Sequence, residues 1–300
     1  MKHPFFLLDS GDPLEFSEIA ELFKQNSTSL WGATTNPSLI AKKLSGKKVT
    51  KEEAFDLQKE IVLEIAKIVP GAVSAEVYAD KNTKAHEMIE QGKEIKKWSE
   101  KIVVKLPTTI EGFKARTELR KAGIPINNTL VFSQEQIFAI CLHEQIIQKT
   151  FGSLVNPEPA EGYPPFISPF VGRLDDKGID GMMLVEHGMK IKKLFEVKLW
   201  MLEASVRKPE HIKRGTNAKV ELLTVPAKVF REWFLQDHPK GVHINLTPIE
   251  YWEPPKNLFA IKTLDGFMQI IESGKLNIQH ELTDIGLEKF AADWKTIISS

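Results

Sequence analysis

The sequence predicts an α/β fold, a closed (β/α)8 TIM barrel. Short apolar runs alternate with longer amphipathic ones along the chain, which is the pattern of βαβ units with a parallel sheet. Eight such units can be recognised, and eight units fit a closed barrel of about 250 residues. Nearly every apolar run ends in polar side chains, and active sites in barrels are built at the C-terminal ends of the strands.

The strand candidates follow one another at regular intervals, at 5–9, 30–35, 72–77, 101–106, 125–132, 165–170, 198–205 and 220–225. The segments between them show helical periodicity, with Leu14, Ile19, Leu22 and Phe23 expected on one face of the first helix. An open doubly wound sheet is the alternative. That fold usually carries a glycine-rich phosphate loop after an early strand, and neither GxGxxG nor GxxxxGK[ST] occurs here.

We expect one domain over residues 1–300, with two late features. The stretch 238–275 is rich in proline and aromatic residues and has no clear period, so we interpret it as an insertion of unknown role. The stretch 282–298 is expected to form a C-terminal amphipathic helix.

Composition limits the classes of partner. The 300 residues are 42% hydrophobic and 27% charged, and 40 Lys and Arg balance 40 Asp and Glu, so nothing favours nucleic acid or an acidic membrane surface. Cys141 is the single cysteine, which excludes an internal disulfide and a cysteine-based metal site. No apolar run is long enough for a signal peptide or a membrane span, so we expect a cytoplasmic protein. The oligomeric state is not determined, and a homo-oligomer is an open alternative.

The polar residues at the strand ends form a candidate site. In chain order they are Asp9, Asn36, Glu76, Lys105, Asn127, Thr129, Ser168, Arg173, Ser205 and Arg207. Taken singly, each has an ordinary explanation as a helix cap or a surface charge. Taken together they do not, because charged groups gathered around one barrel mouth cost stability unless they serve a site.

The chemistry centres on Lys105, which lies inside the apolar run KIVVKL. Lysine attacks a carbonyl only as the free amine, and burial among apolar residues favours that form. Asp9 and Glu76 are then candidates to transfer protons. Lys105 should therefore be buried, face the barrel interior and lie within reach of both carboxylates.

Two arginines suggest the substrate class. Arg173 and Arg207, together with Ser205, make a plausible phosphate clamp, since guanidinium groups bind phosphate through paired hydrogen bonds. The implied substrate is a phosphorylated sugar or a similar oxo-compound, and no metal or other cofactor is required.

Seven stretches of the chain resemble the sequence blocks of the transaldolase family, and they occur in the same order as in that family. The family belongs to the Schiff-base-forming class I aldolases. They are GATTNPSLI (32–40), VSAEV (73–77), VVKLP (103–107), INNTLVFSQEQ (126–136), ISPFVGRLDD (167–176), EASVR (203–207) and LTDIGLEKFAADW (282–294). The resemblance covers roughly residues 5–235 and the last helix. It implies a (β/α)8 barrel and a transferase of carbohydrate metabolism that acts in the pentose phosphate pathway without metal or cofactor.

The resemblance also implies a role for each site residue. Lys105 would form a Schiff base with C2 of fructose 6-phosphate or sedoheptulose 7-phosphate, and Asp9 would take the C4 hydroxyl proton. The dihydroxyacetone unit would then pass to erythrose 4-phosphate or glyceraldehyde 3-phosphate. Glu76 and Thr129 would hold a proton-carrying water. The implied substrate-binding residues are Asn36, Asn127, Ser168 and Phe170 around the three-carbon unit, and Arg173, Ser205 and Arg207 around the phosphate.

Two alternatives are kept. The similar fructose-6-phosphate aldolases cleave without transfer, but they typically carry Gln at the position of Glu76 and Ala-Pro-Tyr in place of residues 168–170. The Glu, Ser and Phe of this chain favour transfer. A non-catalytic sugar-phosphate binding barrel is the second alternative, and the presence of Lys105, Asp9 and Glu76 argues against it.

Two segments depart from the family pattern. Residues 238–275 have no clear counterpart in it, and the connection 148–165 is longer and richer in proline than the family pattern leads us to expect. Either could cover the mouth of the barrel and alter the choice of acceptor. The acceptor preference and the ratio of transfer to cleavage are not determined by the sequence.

Overall fold

The structure is a computed structural model that describes residues 4–155, 162–235 and 246–299. Eight parallel strands follow one another around a closed barrel, in which β8 pairs with β1. The strands are β1 Phe5–Asp9, β2 Gly32–Thr34, β3 Val73–Glu76, β4 Ile102–Pro107, β5 Ile126–Val131, β6 Phe166–Pro169, β7 Trp200–Glu203 and β8 Leu222–Val225. The (β/α)8 TIM barrel predicted from the sequence is confirmed.

Helices surround the barrel. Within the described ranges they are α1 Pro13–Gln25, α2 Pro37–Lys43, α3 Lys51–Ile68, α4 Ala85–Lys96, α5 Ile110–Lys121, α6 Gln134–Phe151, α7 Val171–Asp175, α8 Gly181–Lys192, α9 Pro209–Ala218, α10 Ala227–Phe234, α11 Leu264–Glu272 and α12 Glu281–Lys295. The helix expected over 282–298 is thus α12. None of these helices is long and apolar enough to cross a membrane.

Two strands are shorter or less regular than their apolar runs. The run 198–205 forms a strand only to Glu203, because Ser205 adopts a left-handed backbone with φ of 60° that an extended strand cannot contain. In β5, Leu130 has a φ of 57°, and the pairing with β6 shifts between Asn128 and Val131. Both irregularities lie towards the C-terminal ends of their strands, where the backbone turns into the site.

The buried face of α1 differs from the predicted one. Leu14 is 67% exposed, whereas Phe16, Ile19 and Phe23 are buried. Residues 16, 19 and 23 follow the three- and four-residue spacing of one helical face, but Leu14 lies five residues before Ile19 and therefore points elsewhere. The prediction for Leu14 is wrong.

The barrel interior is built in two layers. The lower layer is apolar and consists of Leu7, Ala72, Val103, Phe166, Leu202 and Leu222. Side chains on a strand alternate between its two faces, so the residue two positions further on faces the interior as well. These next positions are polar in β1, β4 and β6, where they hold Asp9, Lys105 and Ser168. An apolar floor therefore lies beneath a polar layer that faces the C-terminal end.

The long connection 148–165 does not reach the barrel mouth where it is described. α6 continues to Phe151 and a 3-10 helix follows at Gly152–Val155, while residues 156–161 lie outside the described residues. Tyr163 packs edge-on against Trp31 at 5.6 Å, beside the apolar floor. A segment that precedes a strand joins it at the N-terminal face, so this part of the connection does not provide the cover over the mouth that the sequence left open.

The stretch 246–275 packs on the outside of the barrel, and residues 238–245 of the expected insertion lie outside the described residues. Trp252 and Phe259 pack edge-on against Phe138 of α6, at 5.4 and 5.2 Å between ring centroids. Phe267 of α11 contacts Phe113 of α5 at 5.1 Å. These contacts indicate that the stretch 246–275 stabilises the helices on the outside of the barrel.

A buried carboxyl group lies beneath α9. The side chain of Glu203 is 0% exposed, and neither of its oxygens has a hydrogen-bond partner among the described residues. Its Oε2 lies so close to Gly215 that a Cβ there would be 1.9 Å away, so a larger residue would clash. Burial raises the pKa of Glu203 well above 4.5, so the folded protein holds this proton more tightly than the unfolded chain does.

Replacing Glu203 by Gln should abolish the decrease in the free energy of unfolding that this carboxyl group causes as the pH rises. The unfolded chain releases this proton near pH 4.5 while the folded chain retains it, so folding becomes less favourable as the pH rises towards the folded pKa. Relative to Glu203→Gln, the wild-type free energy of unfolding should fall by up to about 1.4 kcal/mol per pH unit. Urea unfolding at pH 5 and pH 8 measures this, and parallel curves for the two proteins would contradict it.

Candidate active site

A cavity of about 470 Å³ opens at the C-terminal face of the barrel. The predicted site residues that line it are Asp9, Asn36, Lys105, Asn127, Ser168, Phe170, Arg173, Ser205 and Arg207. The two remaining predicted residues, Glu76 and Thr129, are buried on β3 and β5, the strands that flank β4. The strand ends therefore bring the candidate residues together as the sequence indicates.

Lys105 lies on the cavity wall and is 3% exposed. Strand pairing places it opposite Glu76 on one side and Asn127 on the other. Its Nζ is 3.0 Å from Oε2 of Glu76 and donates a hydrogen bond to the carbonyl oxygen of Thr35 at 3.1 Å. Burial raises the pKa of Glu76, although the charge of Lys105 opposes this. The predicted burial of Lys105 and its contact with Glu76 are confirmed.

Asp9 is held by hydroxyl groups that sequence reasoning did not identify. Thr34 donates from Oγ1 to Oδ1 of Asp9 at 2.7 Å, and the same hydroxyl lies 2.6 Å from Oγ1 of Thr224. Burial raises the pKa of Asp9, while Lys105 and then Thr34 act in the opposite direction. Thr224 could have been identified from the sequence as a site residue, because it lies near the end of the eighth apolar run, where the other runs carry their polar groups.

A buried amide network lies beside Lys105. Asn127 donates from Nδ2 to Oγ of Ser74 at 3.0 Å, and Ser168 donates from Oγ to Oδ1 of Asn127 at 2.6 Å. The neighbouring Asn128 instead donates to the carbonyl oxygen of Phe166 at 2.7 Å, as strand alternation requires. The network fixes the amide plane of Asn127 against the cavity.

Two other polar groups have atoms available near the cavity. Asn36 caps α2 by accepting from the backbone N–H of Leu39 at 3.0 Å, so its amide nitrogen is the atom left to donate to a ligand. The hydroxyl of Thr129 is 0% exposed and has no hydrogen-bond partner within the described ranges. Since buried hydroxyl groups are normally paired, Thr129 is a candidate to hydrogen-bond a further polar group.

The far side of the cavity is cationic. The guanidinium of Arg173 lies between the rings of Phe170 and Phe290, at 5.2 and 5.1 Å from their centroids. Burial and then the nearby charge of Arg207 lower the pKa of Arg173. Arg207 contacts Asp176 at 3.5 Å, and its side chain is 50% exposed. Two neighbouring guanidinium groups at one wall make this end of the cavity attractive to an anion.

The C-terminal helix α12 forms one wall of the cavity. It contributes Leu282, Ile285, Lys289 and Phe290, none of which was among the predicted site residues. Asp293 of α12 accepts a hydrogen bond from Ser38 of α2, which holds the helix against the barrel mouth. These residues lie in the stretch LTDIGLEKFAADW, which could have indicated that they belong to the site. The local sequence does not show where the helix packs.

Across residues 4–155, 162–235 and 246–299, no group of three or more His, Cys, Asp or Glu side chains is placed to hold a metal ion. The predicted site residues supply one amine, two carboxyl groups, hydroxyl and amide groups, and two guanidinium groups. This set can form and break bonds to carbon through the amine, transfer protons and bind a phosphate.

Comparison with known proteins identifies the family of this chain. The family profile described as "Transaldolase/Fructose-6-phosphate aldolase" matches residues 8–300. A Brevibacillus brevis protein named "Probable transaldolase" is 33% identical over 292 residues, covering 97% of this chain and 98% of its own. A protein of the same name from Lactiplantibacillus plantarum is 33% identical over 290 residues, with 97% and 96% covered. The chain is therefore an enzyme of the transaldolase/fructose-6-phosphate aldolase family.

Proposed function

We propose that this enzyme is a transaldolase that moves a dihydroxyacetone unit from a ketose phosphate to an aldose phosphate through a Schiff base on Lys105. The donor would be fructose 6-phosphate or sedoheptulose 7-phosphate, and the acceptor glyceraldehyde 3-phosphate or erythrose 4-phosphate. The observation that carries the proposal is a buried lysine, ion-paired with Glu76 at 3.0 Å, on the wall of a cavity whose far side is cationic.

The reaction begins at the C2 carbonyl of the donor. The free amine of Lys105 adds to C2, and loss of water from the carbinolamine gives the protonated Schiff base. A proton must leave the nitrogen and another must reach the departing oxygen. Glu76 is in contact with Nζ, and burial raises its pKa, which makes it a better proton acceptor than an exposed carboxylate. The unpaired hydroxyl of Thr129 supports a water in this transfer.

Cleavage needs a base at the C4 hydroxyl. Asp9 takes that proton, the C3–C4 bond breaks, and its electrons pass into the Schiff base to form an enamine while an aldose phosphate leaves. The enamine then attacks the aldehyde carbon of the acceptor, and Asp9 returns a proton to the new hydroxyl. The hydrogen bond from Thr34 fixes the carboxylate, and its raised pKa brings it closer to the working pH of a base.

The substrate is held at both ends. Asn36, Asn127 and Ser168 lie beside Lys105 and would hydrogen-bond the hydroxyl groups of the three-carbon unit, against the ring of Phe170. At the other end, the phosphate would bind to Arg173, Ser205 and Arg207.

The residues around Lys105 favour transfer over simple cleavage. Glu76, Ser168 and Phe170 occupy the positions at which the aldolase branch typically carries Gln, Ala and Tyr. Phe170 has no hydroxyl, so it cannot deliver a proton to the enamine and end the reaction early. The proposed activity would be a step of carbohydrate metabolism, in the pentose phosphate pathway of the cytoplasm.

The test combines trapping with product analysis. Borohydride added during incubation with fructose 6-phosphate should reduce the Schiff base and add mass to the peptide that contains Lys105. With erythrose 4-phosphate also present, sedoheptulose 7-phosphate and glyceraldehyde 3-phosphate should appear together.

Each result has a definite meaning. Absence of an adduct on the Lys105 peptide would refute the covalent mechanism and favour a non-catalytic binding barrel. Free dihydroxyacetone as the main product, with or without acceptor, would show an aldolase instead of a transferase.

A further inference from the structure

We propose that His211 is a positioning residue for the phosphate site, because it fixes the backbone of the segment that carries Arg207. This inference rests on the proposed function, which assigns Arg207 to the substrate phosphate. His211 lies in the first turns of α9, and its side chain is 1% exposed. It is not among the cavity-lining residues, so it would act through Arg207 and not by touching the substrate.

The imidazole of His211 bridges two segments. Its Nδ1 lies 3.3 Å from the backbone nitrogen of Arg207, and its Nε2 lies 2.9 Å from Oδ2 of Asp175. A backbone N–H can only donate, so Nδ1 must be the unprotonated acceptor. The proton of the neutral ring is then on Nε2, from which it is donated to Asp175.

Asp175 fixes this tautomer. Its Oδ1 accepts from the backbone N–H of Gly181 at 3.1 Å, and its Oδ2 accepts from Lys208 at 3.0 Å as well as from His211. Although burial alone raises the pKa of Asp175, hydrogen bonds from His211 and Lys208 lower it to about 2. The ionised carboxylate only accepts hydrogen bonds, so the ring nitrogen facing it must carry the proton. Asp175 also ends α7, the helix that contains Arg173.

The segment leading to Arg207 needs such support. Ser205 holds a left-handed backbone with φ of 60°, which is uncommon for a residue other than glycine. Its carbonyl oxygen accepts from the N–H of Gly172 at 3.0 Å, and His211 holds the segment two residues later. Among the residues that the structure describes, the guanidinium pairs only with exposed Asp176, at 3.5 Å, and such pairs contribute little. The backbone is held while the guanidinium stays free for an anion.

The two ring nitrogens can be tested separately with a matched pair of variants. In His211→Asn the side-chain oxygen takes the place of Nδ1, so the acceptor for Arg207 is kept and the contact with Asp175 is lost. In His211→Gln the amide nitrogen takes the place of Nε2, so the contact with Asp175 is kept and the acceptor is lost. Lys213→Ala, at an exposed position of the same helix, is the control.

Binding of inorganic phosphate to the whole protein should be measured by calorimetry. We expect His211→Gln to weaken it about tenfold, His211→Asn to weaken it less, and Lys213→Ala to leave it unchanged. His211→Gln should also raise KM for fructose 6-phosphate without raising KM for unphosphorylated fructose, and should leave kcat nearly unchanged. A purely structural role would lower the melting temperature without this split.

Three outcomes would overturn the proposal: wild-type phosphate affinity in His211→Gln, equal weakening in the Gln and Asn variants, or no phosphate binding by the wild type. Should His211→Gln fail to fold, Asp175→Ala decides, since it removes the carboxylate that holds the ring proton on Nε2 and anchors the imidazole against the N–H of Arg207. Unchanged phosphate affinity in Asp175→Ala would then refute the proposal. Phosphate binding does not require turnover, so the expected pattern without any transferase activity would refute the proposed function and leave the role of His211 intact.

Discussion

Replacing Lys105 by Met is expected to abolish transfer while leaving the barrel folded. Methionine fills a similar volume but has no amine, so neither the carbinolamine nor the Schiff base can form. Turnover should fall by about 10⁴-fold or more, the range seen when the nucleophile of a covalent enzyme is removed. Steady-state transfer between fructose 6-phosphate and erythrose 4-phosphate measures the loss, and borohydride should trap no adduct.

The chain offers a matched control for this change. Lys101 lies just before β4, and its Nζ donates to the backbone carbonyl oxygens of Ala66 and Val69, both at 2.7 Å. Lys101→Met therefore makes the same chemical change beside the same strand but outside the cavity, and it should retain activity. Phosphate binding should survive in both variants because the arginines are untouched. Turnover of Lys105→Met within tenfold of the wild type would exclude the Schiff base at this residue.

The barrel and the centre of its site could be predicted because both follow from chain periodicity. In a parallel barrel every strand points the same way, so the residues that end the apolar runs must share one face. The register between neighbouring strands then determines which residues lie opposite each other, and it places Glu76 and Asn127 on either side of Lys105. No knowledge of side-chain conformation was needed for this part.

The remaining parts depend on contacts that periodicity does not encode. Asp175 and His211 are 36 positions apart, and their hydrogen bond depends on how α7 and α9 meet above the barrel. The wall formed by α12 likewise depends on where the last helix crosses the mouth. The role of the connection 148–165 was left open, although a segment that leads into a strand arrives at the N-terminal face, opposite the mouth.

A buried ion cluster between α5 and α6 should be the most sensitive part of the outer layer. Oε2 of Glu144 accepts from Arg116 at 2.9 Å, and Oε1 accepts from Arg120 at 2.8 Å, with all three side chains at most 1% exposed. Burial raises the pKa of Glu144, but the charges of Arg120 and Arg116 outweigh it and the pKa is lowered. Arg120 also donates to the carbonyl oxygens of Ile124 and Val155, so the cluster ties several segments together.

Replacing Glu144 by Ala should lower the free energy of unfolding by about 3–5 kcal/mol. The loss is large because two buried guanidinium groups would remain without their shared counterion, which is costlier than losing an exposed ion pair. The effect should shrink in acid, since the lowered pKa of Glu144 stabilises the fold above about pH 4.5, and this stabilisation is lost as the pH falls through the folded value. Urea unfolding at pH 7 and pH 4 measures both the loss and its pH dependence.

Glu118 is the matched control for this change. It pairs with Lys121 on α5 at 2.8 Å, the same distance as the contact between Arg120 and Glu144, but the side chains of Glu118 and Lys121 are 51% and 37% exposed. Glu118→Ala should therefore cost less than about 1 kcal/mol. Comparable decreases in the free energy of unfolding in the two variants would show that burial does not increase the cost of removing an ion pair here. A large loss in Glu144→Ala alone would show that uncompensated charge, and not the ion-pair distance, determines how strongly these helices are held to the barrel.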